Sequence, residues 1–166
     1  MPIKKKPVTP EAMKLRMADL CARSEQCEYD IAQKLFKAGL NSTDRLNILN
    51  FLKEERFIDN FRFARSFARD KCRFSAWGPY KIRLALAAKR IPSDIVTRAL
   101  EEVEEKDWRD ALNRTASSKL RSLPLHGENA QDNRQKLYRF IISRGFPSNK
   151  ASEKVKQMIA ETREEK

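Results

Sequence analysis

Residues 80–103 read YKIRLALAAKRIPSDIVTRALEEV, and the same pattern stands twice more in the chain. It recurs at 29–52, YDIAQKLFKAGLNSTDRLNILNFL, and at 135–158, QKLYRFIISRGFPSNKASEKVKQM; the segments align without gaps at offsets of 51 and 55 residues. Ile31, Ile82 and Leu137 correspond. So do Leu35, Leu86 and Ile141; Leu40, Ile91 and Phe146; Ser42, Ser93 and Ser148; Leu49, Leu100 and Val155; and Leu52, Val103 and Met158. Such a pattern predicts a small unit stacked three times, each burying its apolar face partly against its neighbour. The resulting body is expected to be elongated, with long exposed faces. It suits binding along something extended better than enclosing a small substrate.

Composition narrows the class. The chain has 166 residues, enough for one domain or an array of sub-domains. Apolar residues make up 40% and charged residues 35%, so each repeat has a thin core. The formal net charge of +12 points to a polyanion, usually nucleic acid, or to an acidic protein surface. Cys21, Cys27 and Cys72 form no CxxC pair and His126 is the single histidine, so no metal site is expected. An odd cysteine count reads as reduced, mostly buried thiols. Met1–Pro10 is basic and proline-containing but is followed by no apolar run, and no uncharged stretch approaches a membrane span. The expectation is a cytoplasmic protein without a membrane association.

The periodicity is helical throughout. Thr9-Pro10-Glu11 starts a helix running to about Arg23. Ser24 to Glu28 reads as a new cap and acidic first turn, and Gly39 as a left-handed stop. Ser42-Thr43-Asp44 starts a third helix with Leu46, Leu49 and Leu52 inward. Asp59 caps a helix to about Arg73, Pro79 opens one to about Lys89, and Ser93 leads one to about Glu105. The last triplet is expected at about 107–122, 135–144 and 147–164, with 123–133 as the longest loop. The fold class is therefore all-α, nine helices in three three-helix repeats. The expected divisions are a basic disordered tail at 1–10, repeats at 11–56, 57–105 and 106–166, and a disordered C-terminal end.

Charge is segregated along the chain. Between Arg56 and Arg90 stand ten Lys or Arg and two acids, Asp59 and Asp70, whereas 101–107 carries five acids against Lys106. Arg62, Arg65, Arg69 and Arg73 share one helical face, an arc of about 80°. Guanidinium forks match phosphate or carboxylate oxygens, and most of these arginines have no acid close in sequence. Arg83 and Arg90 share a face of the next helix, flanked by Lys81 and Lys89. Phe61, Phe63, Phe67, Phe74 and Trp77 lie beside the arginines, at a spacing that favours core packing over base stacking. Trp108 is expected at the junction of the second and third repeats. No nucleophile, phosphate-loop or paired-carboxylate motif is present, which argues for neither enzyme activity nor a bound cofactor.

Phe57-Ile58-Asp59-Asn60-Phe61-Arg62-Phe63-Ala64, with Gly78-Pro79-Tyr80-Lys81-Ile82 and Arg23-Ser24-Glu25, resembles the RecX family of recombination regulators over about residues 11–160. Asn60 stands where that family usually has a second aspartate; it retains the ability to cap a helix. Arg90 stands where a glycine commonly precedes the Ile91 position and disfavours a left-handed turn there. The resemblance implies a curved array of three-helix repeats. It also implies a non-catalytic regulator of recombination and DNA repair that lodges in the groove of the RecA filament on single-stranded DNA and hinders its growth or activities. Under it, Asp59, Phe63, Ala64, Gly78 and Pro79 are structural. Arg62, Arg65, Arg69, Arg73, Lys81 and Arg83 are the candidate contacts, of which the family motif supports Arg62 and Lys81. A monomer contacting RecA, single-stranded DNA or both is expected. The rival readings are a sequence-nonspecific nucleic-acid binder acting without RecA, an enzyme on nucleic acid, and an adaptor whose charge is incidental.

Overall fold

A computed structural model describes residues 8–164. The described residues form nine α-helices and no strand: α1 Pro10–Arg23, α2 Glu28–Lys37, α3 Ser42–Glu54, α4 Asn60–Ser75, α5 Pro79–Ala88, α6 Ser93–Glu101, α7 Glu105–Leu120, α8 Ala130–Ser143 and α9 Ser148–Glu164. Residues 1–7 of the expected tail and 165–166 of the expected disordered end lie outside the described residues.

The repeat is physical. Ile31, Ile82 and Leu137, and Leu35, Leu86 and Ile141, are fully buried on the second helix of each triplet. Ser42, Ser93 and Ser148 each open the third helix. Between those two helices stands a left-handed residue in all three units: Gly39 at φ 80°, Arg90 at φ 57° and Gly145 at φ 94°. Arg90 thus makes the turn that its side chain disfavours. A non-glycine residue there costs about 1 kcal/mol; the Arg90 guanidinium lies 5.0 Å from the Tyr29 ring centre, which offsets part of that cost.

Several helix ends differ from the sequence expectation. Ser24 closes α1 rather than opening α2, its N–H donating to the Leu20 carbonyl. The first N–H of α2, on Glu28, donates 3.2 Å to Asn60 Oδ1 from the start of α4, so α2 is capped by another repeat. The cap of α3 is Asn41, whose side chain accepts from the Asp44 N–H at 2.8 Å. Leu46 points outward at 58% exposure, and Ile48 takes the inward position beside Leu52. Helix α8 begins at Ala130, five residues before expected, and α6 ends at Glu101, four residues short.

The two seams between repeats are chemically unlike. Met13, Met17, Ile31, Leu35, Ile48, Leu52 and Ile58 form a core confined to the first triplet and its exit. The second and third triplets share one core, running from Phe63 and Ala64 through Ile82 and Leu86 to Leu137, Ile141 and Met158. Helix α4 is its hub, packing on α5, α6 and α7. Cys27 is the one residue of the first unit buried in that core. Tyr29 packs partly against it, and otherwise the first seam is polar: Arg62 to Glu25 at 2.5 Å, Lys89 to Asp30 at 2.6 Å, and the Glu28–Asn60 bond. The second seam is backbone against backbone. Gly78 N–H donates to the Arg144 carbonyl at 2.7 Å and Tyr80 N–H to the Gly145 carbonyl at 3.0 Å. The expected apolar stacking of neighbours therefore holds at the second seam and is largely replaced by ion pairs at the first.

Candidate interface on the middle repeat

Helix α4 carries the arginine stripe because Asp59 starts it in register. The Asp59 carboxylate accepts from the Arg62 N–H at 2.8 Å, satisfying an orphan donor of the first turn. Phe63, Ala64, Ala68 and Cys72 then face the core, which leaves Arg62, Arg65, Arg69 and Arg73 on the outer side. Phe61 and Phe67 are half-buried, as packing residues, but Phe74 is 81% exposed. The helix ends one residue beyond it, at Ser75, and the chain turns away through left-handed Ala76, leaving nothing above that ring.

The arginines are not without acids, as their sequence neighbourhood implied. Arg62 Nε donates to Glu25, and its Nη2 to the Arg56 carbonyl at 3.1 Å, so it is built into the first seam. Arg65 Nε lies 2.8 Å from Glu102 and Arg73 Nε 2.8 Å from Asp107. The Asp107 hydrogen bond pushes the Arg73 pKa further up, keeping it charged. Both acids come from the acidic stretch at 101–107, which folds back as the α6–α7 turn to face α4. Two ion pairs thus join the basic and acidic blocks across a recess of about 150 Å³. Arg69 is the exception. Its nearest carboxylate is Asp70 at 3.9 Å, and it lines the recess between two paired arginines.

The remaining candidates stand elsewhere. Lys81 Nζ lies 4.7 Å from the centre of the Trp77 ring, and Lys71 Nζ lies 4.8 Å from the same ring. Trp77 meets Phe67 edge-on at 6.5 Å. Two ammonium groups around one half-buried indole form a basic and aromatic setting. Lys71 and Arg69 project about 200° apart around α4, so this setting and the arginine recess are separate surfaces. Arg83 Nη1 donates to Thr97 Oγ1 at 3.1 Å and ties α5 to α6. The six candidates therefore fall into four settings. Lys71 escaped the sequence reading because it sits opposite the stripe; its partner Trp77 lies beyond the helix end, so helical spacing could not join them.

The structural motif residues are placed as follows. Phe63 is 8% exposed and Ala64 fully buried, Gly78 sits in the second seam, and Pro79 is the first residue of α5. His126 Nε2 is within 2.8 Å of Thr162 Oγ1, which anchors the long loop to α9. No helix among the described residues is long and apolar enough to cross a membrane.

The family model described as RecX, second three-helix domain, matches residues 59–100, the span from the α4 cap to the last turn of α6. The regulatory protein RecX of Pseudomonas putida (strain GB-1) is 30% identical over 141 residues, covering 84% of this chain and 86% of that protein. The chain belongs to the RecX family. The RecX of Clostridium botulinum (strain Eklund 17B / Type B) is 28% identical over 137 residues, 82% of this chain, which spans 64% of that relative's length. The crystal structure of RecX from Lactobacillus salivarius shares the fold, with a TM-score of 0.76 at 17% identity over 91% of this chain and 96% of that one. The family's second domain thus coincides with the repeat that carries both the arginine recess and the Trp77 setting.

Proposed function

We propose that this protein is a non-catalytic regulator of homologous recombination and DNA repair that binds the RecA filament on single-stranded DNA and hinders its growth or activities. Membership of a family of regulatory proteins carries the reading. Under it, the regulator captures one filament state or end and draws the assembly equilibrium toward it. The weakly paired guanidinium of Arg69 and the ammonium groups of Lys71 and Lys81 are its first contacts. Arg62 and Arg83 act by holding the repeats and helices in place.

The Trp77 setting favours a second reading, a sequence-nonspecific nucleic-acid binder that acts without RecA. Lysines beside an indole suit a phosphate backbone with stacked bases. The deciding experiment is single-stranded-DNA-dependent ATP hydrolysis by the cognate RecA, with and without this protein. Inhibition at ratios well below one per RecA is expected for filament capping or disassembly. No effect at equimolar protein, with DNA binding and its steep salt dependence retained, would refute the filament reading and leave the binder.

A further inference from the structure

Beside the second seam, between α7 and α9, lies a cavity of about 350 Å³. Its apolar wall is made by Trp108, Leu112, Phe146 and Pro147, and Lys154 lies in its polar part. Lys154 is an anomaly in the repeat. Its counterparts are Ile48 and Ala99, 3% and 0% exposed, so a lysine stands at a position that is apolar core in the other two units. It is itself only 8% exposed. Its Nζ donates to Gln157 Oε1 at 3.2 Å, a neutral group, and no carboxylate lies within 4.0 Å among the described residues. A lysine side chain largely buried with only an amide partner is costly, and a ligand that brings negative charge relieves that cost.

We infer that this cavity is a docking site for a protein segment in which a bulky apolar side chain adjoins a carboxylate, the apolar group filling the Trp108–Phe146 wall and the carboxylate meeting Lys154. The volume is near the lower end for ligand pockets and suits one large side chain and its neighbour. Charge selects the occupant's class. Lys154 and Arg109 call for an anion, while Glu105 also lines the cavity and disfavours one of multiple charge. Lys150 lies 4.0 Å from Glu153, so that rim pair contributes no net charge. The inference holds whether or not the partner is RecA.

The test is an NMR titration of the full chain, following the Trp108 indole and Leu112 methyl signals. The probes are N-acetyl-Leu-Asp, its neutral isostere N-acetyl-Leu-Asn, and inorganic phosphate. The acidic dipeptide is expected to bind about tenfold tighter than the amide. Lys154→Met should abolish that preference while Lys150→Met keeps it. Equal binding of acid and amide to the wild-type chain would overturn the proposal. So would phosphate shifting the same signals at lower concentration than the acidic dipeptide. If Lys154→Met fails to fold, the acid-to-amide ratio on the wild-type chain decides alone.

Discussion

Gly78→Ala puts the rigidity of the second seam to a quantitative test. Gly78 has φ −80°, open to any residue, so a methyl group there introduces no backbone strain. What it meets is main chain: a Cβ would lie 2.4 Å from the Gly145 carbonyl carbon and oxygen and 2.5 Å from the Phe146 nitrogen. Ordinary contact is about 3.5 Å, so the α8–α9 turn must retreat by about 1 Å. That movement strains the Gly78–Arg144 and Tyr80–Gly145 backbone bonds, each contributing about 1 kcal/mol. Overpacking adds about 1–3 kcal/mol. The expected loss is therefore about 3–5 kcal/mol. Gly127→Ala is the control, because it lies in the loop next to Leu125 of the shared core, meets nothing within 4 Å and bears only its φ of +95°, worth about 1 kcal/mol. Trp77 and Trp108 both pack against the shared core of the second and third repeats, so their fluorescence during urea unfolding reports that core. With a urea slope of about 1–3 kcal/mol/M, the Gly78→Ala midpoint should fall by about 1–5 M. A Gly78→Ala variant within 1 kcal/mol of wild type, or no less stable than Gly127→Ala, would refute the reasoning.

The remaining predictions concern the turn, the thiols, the recess and the buried lysine. Arg90→Val should cost about 2 kcal/mol and Arg90→Gly less than about 0.5, because a β-branched residue is worst at φ 57° while glycine relieves strain but loses the Tyr29 contact; the reverse order in urea denaturation would contradict the turn assignment. Burial pushes the Cys27 and Cys72 thiols up to about 11, so at pH 8 about one in a thousand is thiolate; labelling by a disulfide reagent should be slow and quicken about tenfold per pH unit up to 11. Because these folded-state pKa values are raised above 9.0, the stability they contribute is complete below pH 9 and is lost as pH rises through 11. Arg69→Glu should weaken inhibition of RecA ATP hydrolysis more than Arg65→Ala, since Arg65 already pairs with Glu102; equal effects would remove Arg69 from its special place. Lys154→Met should raise stability by about 1 kcal/mol in thermal or urea unfolding, the sign expected when a buried charge kept for binding is replaced by an apolar chain.

Much of the fold was legible because the repeat carries its own check. Ile31, Ile82 and Leu137, and Leu35, Leu86 and Ile141, are apolar in all three copies and core in all three, whereas Phe36, Ala87 and Ile142, also apolar throughout, lie exposed. The errors fell where only one copy was read. Leu46 read alone is an inward residue, but its counterparts Thr97 and Ser152 are polar and mark an outer position. The candidate site was less legible. Arg65 and Arg73 looked unpartnered because Glu102 and Asp107 lie more than thirty residues away and meet them only when α6 and α7 fold back on α4.

The sequence by itself determined the helical class, the threefold repeat, the positions of the core and the excess of positive charge, because each depends on residue type at regular spacing. Only the tertiary structure decided which charges neutralise each other, why the first seam is ionic and the second is backbone-bonded, and that Lys154 is walled in beside Trp108. Those outcomes depend on which distant surfaces approach within about 3–4 Å, the range at which ion pairs, hydrogen bonds and desolvation act, and local periodicity carries no record of it.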